Sequence, residues 1–304
     1  MTNNPQENKL ASGYIFALLA TAIWSGNFII ARYLSDSIPP ITIAFWRWSI
    51  ALIVITPLAI KSFIAEWHIL KHHKVYLLIT SILGITIFNT LIYIAARTTT
   101  ALNLSLIAIT FPIFILILSR FIYGEAITLK KVFGILLVAT GVVTIVTKAS
   151  FVALLNLSFH IGDIWMIIGS FIFAVYSILL KKKPKGIGIW SFQFSTFLIG
   201  VIFLIPLFIW ESNTVESFSY SNQTYLAFLY IGIFASLTAF VLWNKAILII
   251  GPTKSGMIYY SLPLFSGFLA FIFLGENIIY FHLISAVLII SGIILANKSN
   301  PNNR

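Results

Sequence analysis

Hydrophobic residues run through this chain in long unbroken blocks, not in the alternating pattern of a half-exposed strand or the one-sided stripe of a soluble helix. Bounded by charges or by Pro and Gly turns, the blocks fall near 12–34, 40–61, 75–96, 100–122, 130–147, 162–181, 188–210, 225–247, 253–273 and 280–297. Each approaches the ~20 apolar residues needed to cross hydrocarbon. Lipid offers no partner to a backbone N–H or C=O, so such spans must be helical, and the continuous runs exclude a barrel. The pattern predicts an all-α integral membrane protein of ten transmembrane helices. Residues 1–8 and 298–304 are polar tails. The first block follows a single Lys9 and lacks a small-residue cleavage site, so it reads as a retained helix, not a signal peptide.

Composition sharpens this reading. Hydrophobic residues make up 60% and charged residues only 9%, with a mean hydropathy of +1.01, against roughly 25% charged in a soluble domain. The absence of cysteine removes disulfides, thiolate nucleophiles and thiolate metal sites, and no metal or cofactor is expected. The formal charge of +11 is an orientation signal. Fifteen of the 19 basic residues fall on the side of the termini, only Arg32, Arg97 and Lys148 on the other, and Arg47 lies within the second block. Basic loops stay cytoplasmic, which predicts a multi-pass inner (plasma) membrane protein with both termini in the cytoplasm, and an even helix count. Lipid bilayer and a small-molecule substrate are then the expected partners, and nucleic acid is not.

The chain also repeats. Pro112, Gly124-Glu125 and Gly141 recur as Pro263, Gly275-Glu276 and Gly292, each at an offset of 151 residues. Weaker echoes pair Ala22-Ile23-Trp24-Ser25 with Ala174-Val175-Tyr176-Ser177, residues 93–96 with 243–246, and Pro57 with Pro206. The repeat divides the chain at 1–150 and 151–304. Two five-helix halves must enter the membrane from opposite sides, making an inverted repeat that can rock about a midplane site.

These residues resemble the drug/metabolite transporter superfamily, specifically its ten-helix EamA-type carriers such as YddG-like amino-acid exporters. The resemblance rests on Trp24-Ser25-Gly26-Asn27-Phe28, Phe45-Trp46-Arg47, Gly162-Asp163 with Ala174-Val175-Tyr176 running into Lys181-Lys182-Lys183, and the two Pro…Gly-Glu blocks. Ser25 stands where a Gly is common. The resemblance implies a central cavity lined by the first four helices of each half, with helices 5 and 10 peripheral.

Polar groups at membrane depth are the candidate substrate-binding residues, because burying them is costly. Trp24 and Asn27 share a face of helix 1, and Asn27 serves either a substrate or another helix. Arg47 is the formal charge inside a span; its guanidinium suits a carboxylate through two parallel hydrogen bonds, or else pairs with carbonyls or Asp36 to fix helix 2. Asn89 and Tyr93 in helix 3 would form an outer constriction. Tyr176, Trp243 with Asn244, and Tyr259 with Tyr260 would form an inner one, unless these rings belong to an interfacial belt. Pro112 and Pro263 should kink helices 4 and 9, with Thr110 adding a polar contact. Glu125 and Glu276 read as helix caps, and Gly134/Gly141 and Ser285/Gly292 as close-approach faces within a monomer or in a homodimer.

The resulting expectation is a secondary transporter of small organic metabolites, most of all amino acids, by export or facilitated exchange. The segment Gly251-Pro252-Thr253-Lys254-Ser255 lacks the spacing of a phosphate-binding loop. The acidic residues all lie in loops or at helix ends, which favours diffusion or exchange over proton coupling, with Asp163 the alternative proton-sensitive group. An adenosylmethionine-type cofactor importer is the second reading. A membrane-embedded transferase using His160 and Asp163 is a third and lacks a nucleophile.

Overall fold

The structure is a computed structural model that describes residues 5–35, 37–215, 221–274 and 279–298. Gly275, Glu276, Asp36, Glu216 and Arg304 lie outside the described residues. Among those described, every regular element is helical. The elements are α1 (Pro5–Ser35), α2 (Pro40–Ala65), α3 (Trp67–Thr98), α4 (Ala101–Ile107), α5 (Thr110–Tyr123), α6 (Leu129–Val146), α7 (Phe151–Leu155), α8 (Ile161–Lys181), α9 (Ile189–Thr214), α10 (Asn222–Tyr259), α11 (Leu262–Leu274) and α12 (Tyr280–Asn297).

Eight helices among the described residues are long and apolar enough to cross a membrane, and ten passes result because two crossings are broken. Predicted helix 4 is α4 followed by α5. Predicted helices 8 and 9 run together as α10, which breaks at Gly251 (φ 82°, ψ 163°), and the ninth crossing resumes as α11. A left-handed φ at that point is open to glycine with little strain. The first turns of α1 and the last turn of α12 lie at one end of the bundle: Gly13 packs against Ile249 and Ile250, and Ala296 to Lys298 lie beside Gly251. We call this the terminal end and the opposite one the far end.

The two prolines act one turn earlier than their own positions. Pro112 and Pro263 crowd the carbonyls four residues before them, at Ala108 and Tyr259, and the helices break at 108–109 and 260–261. Across the breaks, the Tyr260 hydroxyl donates to the Ile109 carbonyl (3.1 Å). These residues are 151 apart, so the repeat brings equivalent positions of helices 4 and 9 face to face. The third and eighth crossings carry a second matched pair, π-helical stretches at Ile82–Ile87 and Tyr230–Thr238. Polar side chains collect the carbonyls that the wider turn displaces: Asn89 donates to Gly84, Ser236 to Ile231 and Thr238 to Ile233, each five residues back.

Close packing joins α6 to α12. A Cβ on Gly134 would lie 2.6 Å from the Gly292 carbonyl oxygen, and one on Gly141 2.8 Å from Ile289. In lipid, where apolar burial gives no net drive, such backbone approach supplies the dispersion contact that holds helices together. The small-residue faces read from the sequence are thus used within the protomer. Two carboxylates stitch the second and seventh crossings at opposite ends. Glu211 accepts from Ile41 N, Thr42 N and Thr42 Oγ1 (3.1, 2.6 and 2.9 Å), while Glu66 accepts from Gly188 N (2.7 Å). Each satisfies orphan N–H groups at the start of the other's helix.

Candidate functional site

The interior between the halves holds two polar-aromatic clusters at different depths. The first is built on Arg47, seven residues into α2 and so about 10 Å from the far end of that helix. Its side chain is 1% exposed. Nε donates to Ser236 Oγ (2.6 Å) and Nη1 to the Tyr93 hydroxyl (2.8 Å), and the guanidinium lies 5.1 Å from the Trp48 ring centre and 5.8 Å from that of Tyr93. Among the described residues no carboxylate pairs with it. Two bonds use two of the five N–H donors of the fork.

The π-helical stretch of α10 links this cluster to helix α1. Ser236 holds Arg47; the carbonyl of neighbouring Ala235 accepts from Trp24 Nε1 (2.9 Å), and the Tyr230 hydroxyl donates to the Ile23 carbonyl (3.0 Å). One turn beyond Trp24, the buried Asn27 presents its Oδ1 without a hydrogen-bond partner.

Trp24 is also the centre of the second cluster. Its ring lies 5.3 Å from Trp243, 6.2 Å from Tyr259, 5.7 Å from Phe173 and 5.6 Å from Phe240, mostly edge-on. Phe111 packs on Tyr259 at 4.9 Å. Toward the terminal end a polar chain continues from these rings. The Tyr176 hydroxyl donates to Asn244 Oδ1 (3.0 Å), Asn244 Nδ2 donates to Gln193 Oε1, and Trp243 Nε1 donates to Ser177 (3.3 Å). Gln193 is fully buried, and its Nε2 has no partner. The repeat is visible again here: Tyr176, equivalent to Trp24, lies against Gly84 of the π-helical stretch in α3, where a Cβ would come within 2.6 Å of the ring.

Of the residues singled out from sequence, Trp24, Trp243 and Tyr259 meet directly, Arg47 meets Tyr93, and Tyr176 meets Asn244. Asn27 lies beside the first group. Two stand apart in what they do. The Asn89 amide is spent on the Gly84 carbonyl, and Thr110 returns its hydroxyl to Ile107 (2.7 Å) at the break of the fourth crossing. Sequence reasoning missed Gln193 and Ser236, whose signal was only that each is a polar residue inside an apolar run. Glu125 does not cap α6: Thr128 does, accepting from Lys131 N (3.3 Å). Glu125 instead ties together Thr253 (2.7 Å) and Lys181 (3.2 Å) at the terminal end.

Asp163 is a structural joint. Its carboxylate accepts from Thr99, from Asn103 Nδ2 (2.8 Å) and from the His160 backbone N–H (2.8 Å), binding α8 to the start of α4. That use leaves the His160–Asp163 pair without the geometry of a transferase. Among the described residues no group of His, Asp or Glu could hold a metal.

Comparison with known proteins agrees with this architecture. A solved crystal structure superposes with a TM-score of 0.75 at 18% identity, covering 94% of this chain and 96% of that one, which establishes the fold. The uncharacterized transporter YyaM of Bacillus subtilis is 28% identical over 281 residues, covering 92% of both chains. An uncharacterized transporter of Archaeoglobus fulgidus is 28% identical over 292 residues, covering 93% of this chain and 96% of its own. The profile of the EamA-like transporter family matches twice, at residues 11–147 and 160–298. The two matches fall on the two five-helix halves whose matched breaks face each other, and the chain belongs to the EamA-like transporter family: it is a multi-pass membrane transporter, not an enzyme.

Proposed function

We propose that this transporter carries amino acids or closely related carboxylate-bearing metabolites across the inner membrane, by export or exchange, with both termini in the cytoplasm. The observation that carries the reading is Arg47: a fully buried cation, held by neutral partners, with no carboxylate beside it among the described residues. A buried charge at such depth calls for a counter-charge, and a cargo carboxylate supplies it through bidentate hydrogen bonds. The unpartnered Asn27 Oδ1 is an acceptor for an ammonium, and the faces of Trp24, Trp243 and Tyr259 suit an apolar or cationic side chain. In this reading the halves 1–150 and 151–304 rock about the 4–9 crossing. Tyr93 and Arg47 then close one side, and Tyr176, Trp243 and Asn244 the other. The small-residue faces are already used between α6 and α12, which supports a monomeric working unit.

Adenosylmethionine-type cargo is the second reading, favoured by the clustered rings, which could stack a purine. Thermal stabilisation in detergent by phenylalanine, phenethylamine and adenosylmethionine separates the possibilities, since a ligand selective for the folded state raises stability by mass action. The proposal expects phenylalanine to stabilise and its decarboxylated analogue not to. Equal effects from acid and amine would remove Arg47 from recognition, and stabilisation by adenosylmethionine alone would favour the second reading.

A further inference from the structure

A cavity of about 470 Å³ opens at the terminal end, away from the aromatic interior and between the ends of α5, α8 and α12 and the break in α10. Among the described residues its wall carries Lys131, Lys181, Lys254 and Lys298 against a single carboxylate, Glu125, a surplus of three positive charges. Glu125 is fully engaged, accepting from Thr253 Oγ1 (2.7 Å) and Lys181 (3.2 Å), with Lys131 at 3.9 Å. Burial pushes its carboxyl up, but the bonds from Thr253 and Lys181 and the charge of Lys131 outweigh that and leave it below the ordinary glutamate value, so it is ionised at neutral pH. Lys254 and Lys298 have no carboxylate partner among the described residues.

Two further features show a built wall rather than a gap between charges. Both polar side-chain atoms of Asn297, Nδ2 and Oδ1, are shielded from solvent and lack hydrogen-bond partners, a state that buried amides avoid unless something else satisfies them. Gly251 leaves open space where a Cβ would stand, and the helical segment that restarts at Pro252 begins there, turning its positive end to the cavity. Lysine ammoniums, an amide donor and a helix start together match an anion with several acceptor oxygens. Next to the cavity, the adjoining turns of α12 and α6 present Ile294, Phe133 and Leu136 outward, so a lipid has access to it as well as a solute.

We propose that this cavity is a binding site for a phosphate group, carried by an anionic phospholipid or by a soluble phosphate ester, and that it is separate from the transport site. The full-length protein would be titrated by native mass spectrometry with phosphatidylglycerol and phosphatidylcholine, and by thermal shift with glycerol 3-phosphate and inorganic phosphate. The comparison is with a Lys254→Gln/Lys298→Gln double variant. A Lys71→Gln/Lys74→Gln variant, altered at exposed residues elsewhere at the same end, serves as the control. For a lipid site, phosphatidylglycerol binds at least tenfold tighter than phosphatidylcholine and the cavity variant loses that preference while the control keeps it. For a soluble ligand, the phosphate compounds raise the melting temperature of wild type and control but not of the cavity variant. Lys254→Arg/Lys298→Arg should retain binding in either case. The proposal is overturned if wild type shows neither effect, or if the control loses as much as the cavity variant, since binding would then be diffuse attraction to a basic surface.

Discussion

Replacing Arg47 by methionine should weaken ligand binding roughly 100-fold while leaving the fold nearly as stable as before. The guanidinium makes hydrogen bonds to Ser236 and Tyr93 and lies over Trp48. Interhelical hydrogen bonds in membrane bundles average ~0.6 kcal/mol, and a desolvated cation–π contact adds ~1–2 kcal/mol, so Arg47 contributes about 2–3 kcal/mol. Holding an arginine inside the bilayer costs ~2.5–3.5 kcal/mol. The two nearly cancel, and methionine fills much of the volume, so the change in unfolding free energy should stay within ~1 kcal/mol. Recognition has no such cancellation. Hydrogen bonds to charged groups contribute ~1.5–3 kcal/mol, and losing about 3 kcal/mol of carboxylate binding is roughly 100-fold in Kd. Arg47→Lys keeps the charge but not the planar fork, and should fall between. The assay is binding of labelled phenylalanine, leucine and glutamate to purified protein, beside thermal unfolding of the same samples. Unchanged binding by Arg47→Met would refute the reasoning. So would a loss of several kcal/mol of stability, which would make Arg47 a bolt between α2, α3 and α10.

Four other changes test the framework around the site. Gly134→Leu drives a side chain into the Gly292 backbone 2.6 Å away; separating α6 from α12 should cost about 1–3 kcal/mol and lower the melting temperature. Glu211→Gln removes the charge from a carboxylate that accepts three bonds at the start of α2 and should cost about 1 kcal/mol, read as reduced thermal stability with transport retained. Gln193→Leu removes the unpartnered Nε2 but also strands Asn244 Nδ2; it should weaken binding in the same ligand assay more than it lowers stability. Because the Glu125 carboxyl titrates below its ordinary value when folded, the unfolded chain binds more protons there. Its stabilisation is therefore present above the unfolded value and is lost as pH falls through the folded one. Melting temperature measured downward from pH 6 should drop more steeply in wild type than in Glu125→Gln, most of the difference appearing below the ordinary glutamate range.

What the chain disclosed beforehand follows from which physics dominates locally. The crossings and their pairing are written in apolar length and in the 151-residue echo of Pro, Gly and Glu, because lipid constrains every residue of a span in the same way. Joints between crossings were less legible. Pro112 announced a kink, but the break at Ala108 follows from the reach of its ring toward a carbonyl four residues away. The π-helical stretches left no pattern in hydropathy at all; they show only in where Asn89, Ser236 and Thr238 send their hydrogen bonds. Asn89 read as a binding residue for that reason, since a polar group at depth signals that something needs a partner and not what does. Arg47 and Trp24 were legible as candidates because large or charged groups within an apolar run are few. That α10 joins them, through adjacent residues Ala235 and Ser236, is a tertiary fact the linear sequence does not carry.

The central claim, a carrier that recognises a carboxylate at Arg47, is tested most directly by counterflow. Proteoliposomes loaded with unlabelled amino acids, diluted into trace labelled amino acid, should accumulate label transiently with wild-type protein and fail to do so with Arg47→Met at equal incorporation. Equal counterflow in the two, or none of any amino acid by folded wild-type protein, would contradict it.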